Sequence, residues 1–415
     1  MKSNFSLFII LVTIFLLLFL ESILDVLSLE LFIGYKQVIM ILSGFIIILL
    51  NLKNFTIPKN LRFVLIFFFA FLLLNFLTNN ILFSKYLFGL ISTLLFSYVF
   101  IVFLNVKFTF SSIYIILIFL LVLLLVSTIY TLSSLFYSTD LREQLTIFRE
   151  LGFYGCVTSF GVIISLSLSL KEKNKIFVFI ALFFSFSVFL TVLKKSIIDI
   201  IFIWFIYFFY NFKINSRIFL ICIISFVLIL TFPLYSKPLI DNINENIDYF
   251  NSTKEDGVRI IMYFTAFNLA NNYFPFGSGL GTFGSPASVF GGDYSNIYYN
   301  TGIANIPEMS PEYVMNGKPH TLFDTFWPHI IGELGYVGLL IFLILWFYPI
   351  NLMNKIKKQR NSNNYKFIYF YIISTYVLIT LDGFTLFLPE QPAIIIFYSL
   401  IPAVLIKYLI NEEKA

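Results

Sequence analysis

The stretch LTVLKKSIID (190–199) sets Lys194 and Lys195 side by side between apolar segments. A charged side chain in hydrocarbon costs at least about 2.5 kcal/mol, so the pair stands in water, in a cavity or against a negative group. Two readings stay open: interfacial lysines that snorkel at helix ends, or ammonium groups awaiting an anion. Other cations also sit beside apolar stretches. Arg142 and Arg149 lie in SSLFYSTDLREQLTIFRE (133–150), and Arg259 opens VRIIMYFTAFNLANNY after an acidic EDG. Arg grips phosphate through a bidentate fork and Lys as a point charge, so Arg142, Arg149, Lys194, Lys195 and Arg259 are candidates for holding a phosphate-bearing group.

Both histidines fall in GKPHTLFDTFWPHIIGELGYVG (317–338), as do Asp324 and Glu333. His329 and Glu333 are four apart and share one face of a helix. A proton acceptor within hydrogen-bond reach of a reacting hydroxyl is the chemistry these types offer, with Asp324 first, then His329 and Glu333, and His320 last. Asp324 has a plain alternative as a helix cap. No metal is expected, because the spacing gives no set of three convergent zinc ligands. The loop NNYFPFGSGLGTFGSPASVFGGDYSNIYYN (271–300) contains GSGLG, which lacks the strand and βαβ setting of a dinucleotide site. Its glycines suit a tight turn after Pro275. Tyr294, Tyr298 and Tyr299 offer flat rings with polar tips, fit either for stacking on sugars or for plain packing.

These residues need a scaffold, and composition says which kind. Of the 415 residues 59% are apolar and 12% charged, with 55 phenylalanines, which excludes an ordinary water-soluble domain. Runs such as FSLFIILVTIFLLLFL (5–20) and SSIYIILIFLLVLLLVSTIY (111–130) are apolar on every face and approach or reach bilayer length. They predict helices rather than barrel strands, which alternate. The first run is expected to be a span rather than a cleaved signal. Twelve spans are expected, near 5–20, 31–50, 62–78, 86–104, 111–132, 151–170, 176–192, 196–210, 217–234, 330–350, 366–386 and 392–409. They divide the chain into a nine-span bundle (1–234), a long loop (235–329) and a three-span bundle (330–415). With the N-terminus inside, 17 of the 27 basic residues fall in short inside segments, so both termini are expected inside and the long loop outside. The two cysteines, Cys156 and Cys222, fall in predicted spans and suggest no disulfide framework.

The order of the pieces carries a likeness that none of them carries alone. LKKS (193–196) at the tip of an outward hairpin, Arg259 opening a loop helix, PFGSGLGTFG (275–284) and DTFWPHIIGELGYVG (324–338) together resemble the O-antigen polymerase and O-antigen ligase superfamily, as does FRELGFYG (148–155). The likeness runs from about residue 142 to 345. Two features depart from the ligase pattern: lysines replace an Arg at the hairpin tip, and Asp324 stands where many members have His. The second is closer to repeat-unit polymerases.

The resemblance implies an all-α polytopic fold of GT-C-like glycosyltransferase architecture in a bacterial inner membrane. It further implies oligosaccharide repeats carried on undecaprenyl pyrophosphate as substrates, joined on the periplasmic side by inverting transfer without cofactor or metal. A chain-length regulator protein is a further expected partner; nucleic acid is not. Preplaced cations would stabilise the departing diphosphate. Transfer of finished polysaccharide to lipid A core is the second reading, and transport of the lipid-linked sugar the third. Transport is disfavoured because the chain shows no internal repeat.

Overall fold

In the computed structural model, residues 2–26, 35–52, 55–79, 81–135, 151–190, 194–211, 255–315, 322–323, 325–356, 362–386 and 390–414 are described. Among them the long elements are all helices: α1 (Lys2–Val26), α2 (Tyr35–Asn51), α3 (Lys59–Asn79), α4 (Phe83–Phe103), α5 (Phe110–Leu135), α6 (Leu151–Glu172), α7 (Lys175–Leu190), α8 (Lys194–Asn211), α9 (Glu255–Asn272), α10 (Phe326–Trp346), α11 (Tyr348–Lys355), α12 (Asn363–Asp382) and α13 (Pro392–Glu412). Helix α13 contains a π turn at Ile396–Leu400.

Six of these, α3, α4, α5, α6, α10 and α13, are long and apolar enough to cross a bilayer. Shorter apolar helices lie in α1, α2 and α7. The chain is thus a multi-pass, all-helical membrane protein, while the expected ninth span (217–234) lies outside the described residues. Helix α8 spends Lys194, Lys195 and Asp199 in its first turns, which leaves it short of apolar length.

Helix α6 is the axis of the bundle, packed by α5, α7, α8 and α12. Its sequence explains that place. Gly, Ser, Thr and Cys recur along it, and small residues let helices approach closely in a membrane. A Cβ at Gly161 would stand 2.9 Å from the Phe184 ring of α7. Its serines turn their hydroxyls back onto the helix, Ser159 to the Gly155 carbonyl at 2.9 Å and Ser165 to that of Gly161 at 2.7 Å, which satisfies these hydroxyls within the helix. Helix α3 is the opposite case: Phe63, Phe67 and Leu77 face outward, where lipid replaces protein. Between α9 and α10 the chain runs through short turns and helices, among them Asn296–Asn300 and Pro311–Met315. Helix α9 itself lies along α10.

Candidate active site

One corner gathers the ends of three helices and the middle of a fourth. Helix α12 finishes at Asp382, and Gly383 and Phe384 follow. The Gly383 carbonyl accepts the backbone N–H groups of Phe326 (3.0 Å) and Trp327 (3.3 Å), two donors at the start of α10 that have no partner inside that helix. Trp327 also sends its indole N–H to the Thr380 carbonyl at 3.0 Å. The Tyr263 hydroxyl of α9 donates to the Phe384 carbonyl at 3.1 Å. Lys195, in the first turn of α8, forms an ion pair with Asp382. The lysine side chain is 26% exposed and the carboxylate wholly buried, so solvent reaches the pair from the lysine's side. Asp199 of α8 and Cys156 of α6, both buried, lie beside Asp382.

Arg259, half-buried, is one helical turn before Tyr263 on the same face of α9, about 6 Å along the axis. The α8 and α9 segments that carry Lys195 and Arg259 therefore both approach the 382–384 corner. Lys194 starts α8. Arg142, Arg149, His320 and Asp324 lie outside the described residues.

Below the corner lies a second cluster. His329 sits wholly buried between two carboxylates, its Nδ1 3.0 Å from Glu333 Oε2 and its Nε2 3.0 Å from Glu390 Oε1. Both carboxylates are buried too, so the imidazole has an acid on each side. The expected shared face of His329 and Glu333 is present; both ring nitrogens are already engaged. Glu390, just before α13, was not singled out from sequence. Its only sequence cue is an acid ahead of a proline that opens an apolar run.

Glu333 links this cluster to the glycine loop. Its Oε1 accepts the Phe283 N–H and the Ser285 hydroxyl, each at 2.8 Å. The loop docks on a break in α10. Gly335 has φ 63 and ψ −173, which ends the helical pattern there and frees the carbonyls of Gly332 and Glu333. Ser278 N–H takes the first at 2.9 Å and Gly279 N–H the second at 3.0 Å. Asn75, buried in α3, adds donors to Glu333 O (3.0 Å) and Phe276 O (2.6 Å) and accepts from Leu280 N–H. Gly277, at φ 72, must be glycine for a second reason: a Cβ would fall 2.7 Å from the Glu333 carbonyl oxygen.

The loop's far side forms a cavity of about 200 Å³ lined by Asn79, Lys85, Tyr273, Ser278, Asp293 and Tyr294 among others. Lys85, buried at the start of α4, bonds to Asp293 O (2.7 Å), Ser288 O (3.3 Å) and Asp293 Oδ2 (2.8 Å). Sequence reasoning passed over it because nothing nearby in the chain marks its partners. Of the tyrosines expected near sugars, Tyr294 lines this cavity and donates to the Met309 carbonyl. Tyr298 is fully buried, accepts Gly284 N–H at 2.8 Å and meets the Ser288 hydroxyl, and burial raises its hydroxyl pKa well above the usual value. Tyr299 is exposed.

No curated protein matches the chain. Residues 176–343 match the model of the family described as O-antigen ligase, whose members are membrane glycosyltransferase-like enzymes acting on lipid-linked polysaccharides. That stretch runs from α7 through most of α10 and includes Lys195, Arg259, the glycine loop, His329 and Glu333. Over residues 176–343 the chain is thus similar to the O-antigen ligase family, in line with the likeness to the O-antigen ligase and polymerase superfamily.

Proposed function

We propose that the protein is a polymerase, joining oligosaccharide repeats carried on undecaprenyl pyrophosphate at the outer face of a bacterial inner membrane. The acceptor sugar's hydroxyl oxygen attacks the anomeric carbon of the donor repeat, the bond to the lipid diphosphate breaks, and the single displacement inverts that carbon. Negative charge grows on the departing diphosphate, and preplaced cations there are the main source of rate. The observation behind this reading is the corner at 382–384, where α8 brings Lys195 and α9 brings the face bearing Arg259 toward the entrance of α10. Asp382 orients the partly exposed Lys195 ammonium, and phosphate oxygens are the proposed partners of its remaining donor capacity. Lys194, Arg149 and Arg142 are proposed to complete the clamp.

Asp324 is the proposed base, since it directly precedes Thr325 at the entrance of α10 and the other acids there are already committed. His329 has Nε2 hydrogen-bonded to Glu390 and Nδ1 within ion-pair distance of Glu333, and Glu333 accepts from Phe283 and Ser285. His329, Glu333 and Glu390 therefore serve as the frame that fixes the glycine loop. The cavity beside Tyr294 is wide enough for one sugar ring and is the proposed seat of part of the saccharide. Asp324 in place of His, and lysines in place of Arg at the α8 tip, favour polymerase over ligase. The nine-span, loop and three-span division belongs to the same proposal, as do cytoplasmic termini and a periplasmic 235–329 segment.

Deleting the gene and resolving the surface polysaccharide on a gel separates the readings. A polymerase loss leaves core carrying one repeat, which is the expected pattern. Core with no attached repeat would instead show a ligase, and repeats trapped on the inner side would show a transporter.

A further inference from the structure

The opposite end of the bundle carries a cavity that the transfer chemistry does not use. It has a volume of about 430 Å³ and is walled by the end of α6, the start of α7, the end of α8 and the start of α12. Helix α8 runs from Lys195 at the candidate active site to Asn211 in this wall, so the two sites are about 24 Å apart across the membrane. Lys173, Lys175 and Lys366 line it, together with Tyr207, Tyr210 and Asn211, and among the described residues no carboxylate does.

All three lysines are exposed, and two of them add their charge to helix ends that are already partly positive. Lys175 is the first residue of α7 and Lys366 lies in the first turn of α12, the ends of helices where partial positive charge already accumulates. Lys173 has left-handed backbone, φ 54, a conformation mostly left to Gly and Asn. It falls in the tight link between α6 and α7, where Asn174 Oδ1 accepts Ile176 N–H at 2.9 Å. Three ammonium groups and two helix N-termini thus face one hollow. Its wall is stiff: Tyr210 stacks on Tyr369 at 6.0 Å and Tyr369 on Tyr365 at 5.6 Å, and the Tyr207 hydroxyl meets that of Ser169 at 3.0 Å. Tyrosine rings at helix ends mark the headgroup level of a bilayer.

We infer that this hollow binds the phosphate of an anionic phospholipid headgroup in the leaflet opposite the candidate active site. The lipid ties α6, α7, α8 and α12 together and steadies α8, whose other end presents Lys195. The inference does not depend on which glycosyl transfer the protein performs.

The test uses the purified full-length chain, delipidated in detergent and offered equimolar phosphatidylglycerol and phosphatidylcholine, with bound lipid counted by native mass spectrometry. Each lysine is worth about fivefold in affinity for the anionic headgroup, so selectivity for phosphatidylglycerol should fall about a hundredfold in Lys173→Gln/Lys175→Gln/Lys366→Gln. Lys59→Gln/Lys107→Gln/Lys355→Gln removes the same charge from exposed positions at the same end outside the hollow and should keep the selectivity. The arginine triple variant Lys173→Arg/Lys175→Arg/Lys366→Arg should keep it too. Equal loss in the Lys59/Lys107/Lys355 variant, or unchanged selectivity in the Lys173/Lys175/Lys366 variant, overturns the proposal. So does the absence of any selectivity in the unmodified chain. Release of the bound lipid by millimolar inorganic phosphate would overturn the assignment to a lipid.

Discussion

Lys195 and Asp382 differ sharply in exposure, and that asymmetry fixes what their removal does. Replacing Lys195 by Met leaves Asp382 wholly buried without its cation, and such a broken pair costs about 3–5 kcal/mol. Replacing Asp382 by Asn costs less, because Lys195 is partly open to solvent and can hydrate its charge. Removing both charges, as in Lys195→Met/Asp382→Asn, costs less than breaking the pair, since a buried pair exchanged for uncharged groups of like size leaves only the neighbouring Asp199 to be accommodated. Activity orders the variants differently. Loss of one preplaced electrostatic donor slows transfer about 10²–10³-fold, so the double variant should be well folded and nearly inactive. Thermal unfolding in detergent reports the first quantity, and polymer length from purified lipid-linked repeats the second. The expected result is a low unfolding midpoint for Lys195→Met alone, recovery in the double variant, and no recovery of activity. A double variant making polymer at the normal rate would refute the role given to Lys195.

Three further variants test the frame. Glu333→Ala leaves the Phe283 N–H and Ser285 hydroxyl without their acceptor and His329 without one carboxylate, at about 1–3 kcal/mol for each unsatisfied group, readable as a lower unfolding midpoint. Gly335→Ala forces a side chain into a left-handed position tightly faced by Pro275 O and Gly277, and should loosen the glycine loop, measured as faster proteolysis within 276–285. Tyr298→Phe removes the acceptor of Gly284 N–H and should destabilise by about 1–3 kcal/mol, whereas Tyr299→Ala, on an exposed ring, should leave the midpoint unchanged.

The apolar runs made the helical membrane class legible, because spanning a bilayer is a demand on composition and length that each segment meets alone. The α8 tip, the turn-forming glycines and the His329–Glu333 face were legible for the same reason: each is local in the chain. What sequence spacing could not convey are partners brought together by packing. Lys195 meets Asp382 from a helix 187 positions on, and His329 takes Glu390 from beyond the following helices. In the sequence Asp199 and Asp382 are simply acids near the ends of apolar runs. Asn75 is one polar residue within LLLNFL, and its bonds to the loop some 200 positions later leave no periodic trace. The break at Gly335 was equally hidden: the glycine belonged to a recognised motif, but only the docked loop shows why α10 must stop hydrogen-bonding to itself there.

The claim that cations at the 382–384 corner hold a diphosphate is tested most directly by equilibrium binding of undecaprenyl pyrophosphate to the purified protein. Binding should weaken at least about tenfold in Lys195→Met/Asp382→Asn and again when Arg259→Ala is added, charge-assisted contacts to phosphate being worth that much or more. The same affinity in all three proteins would contradict it.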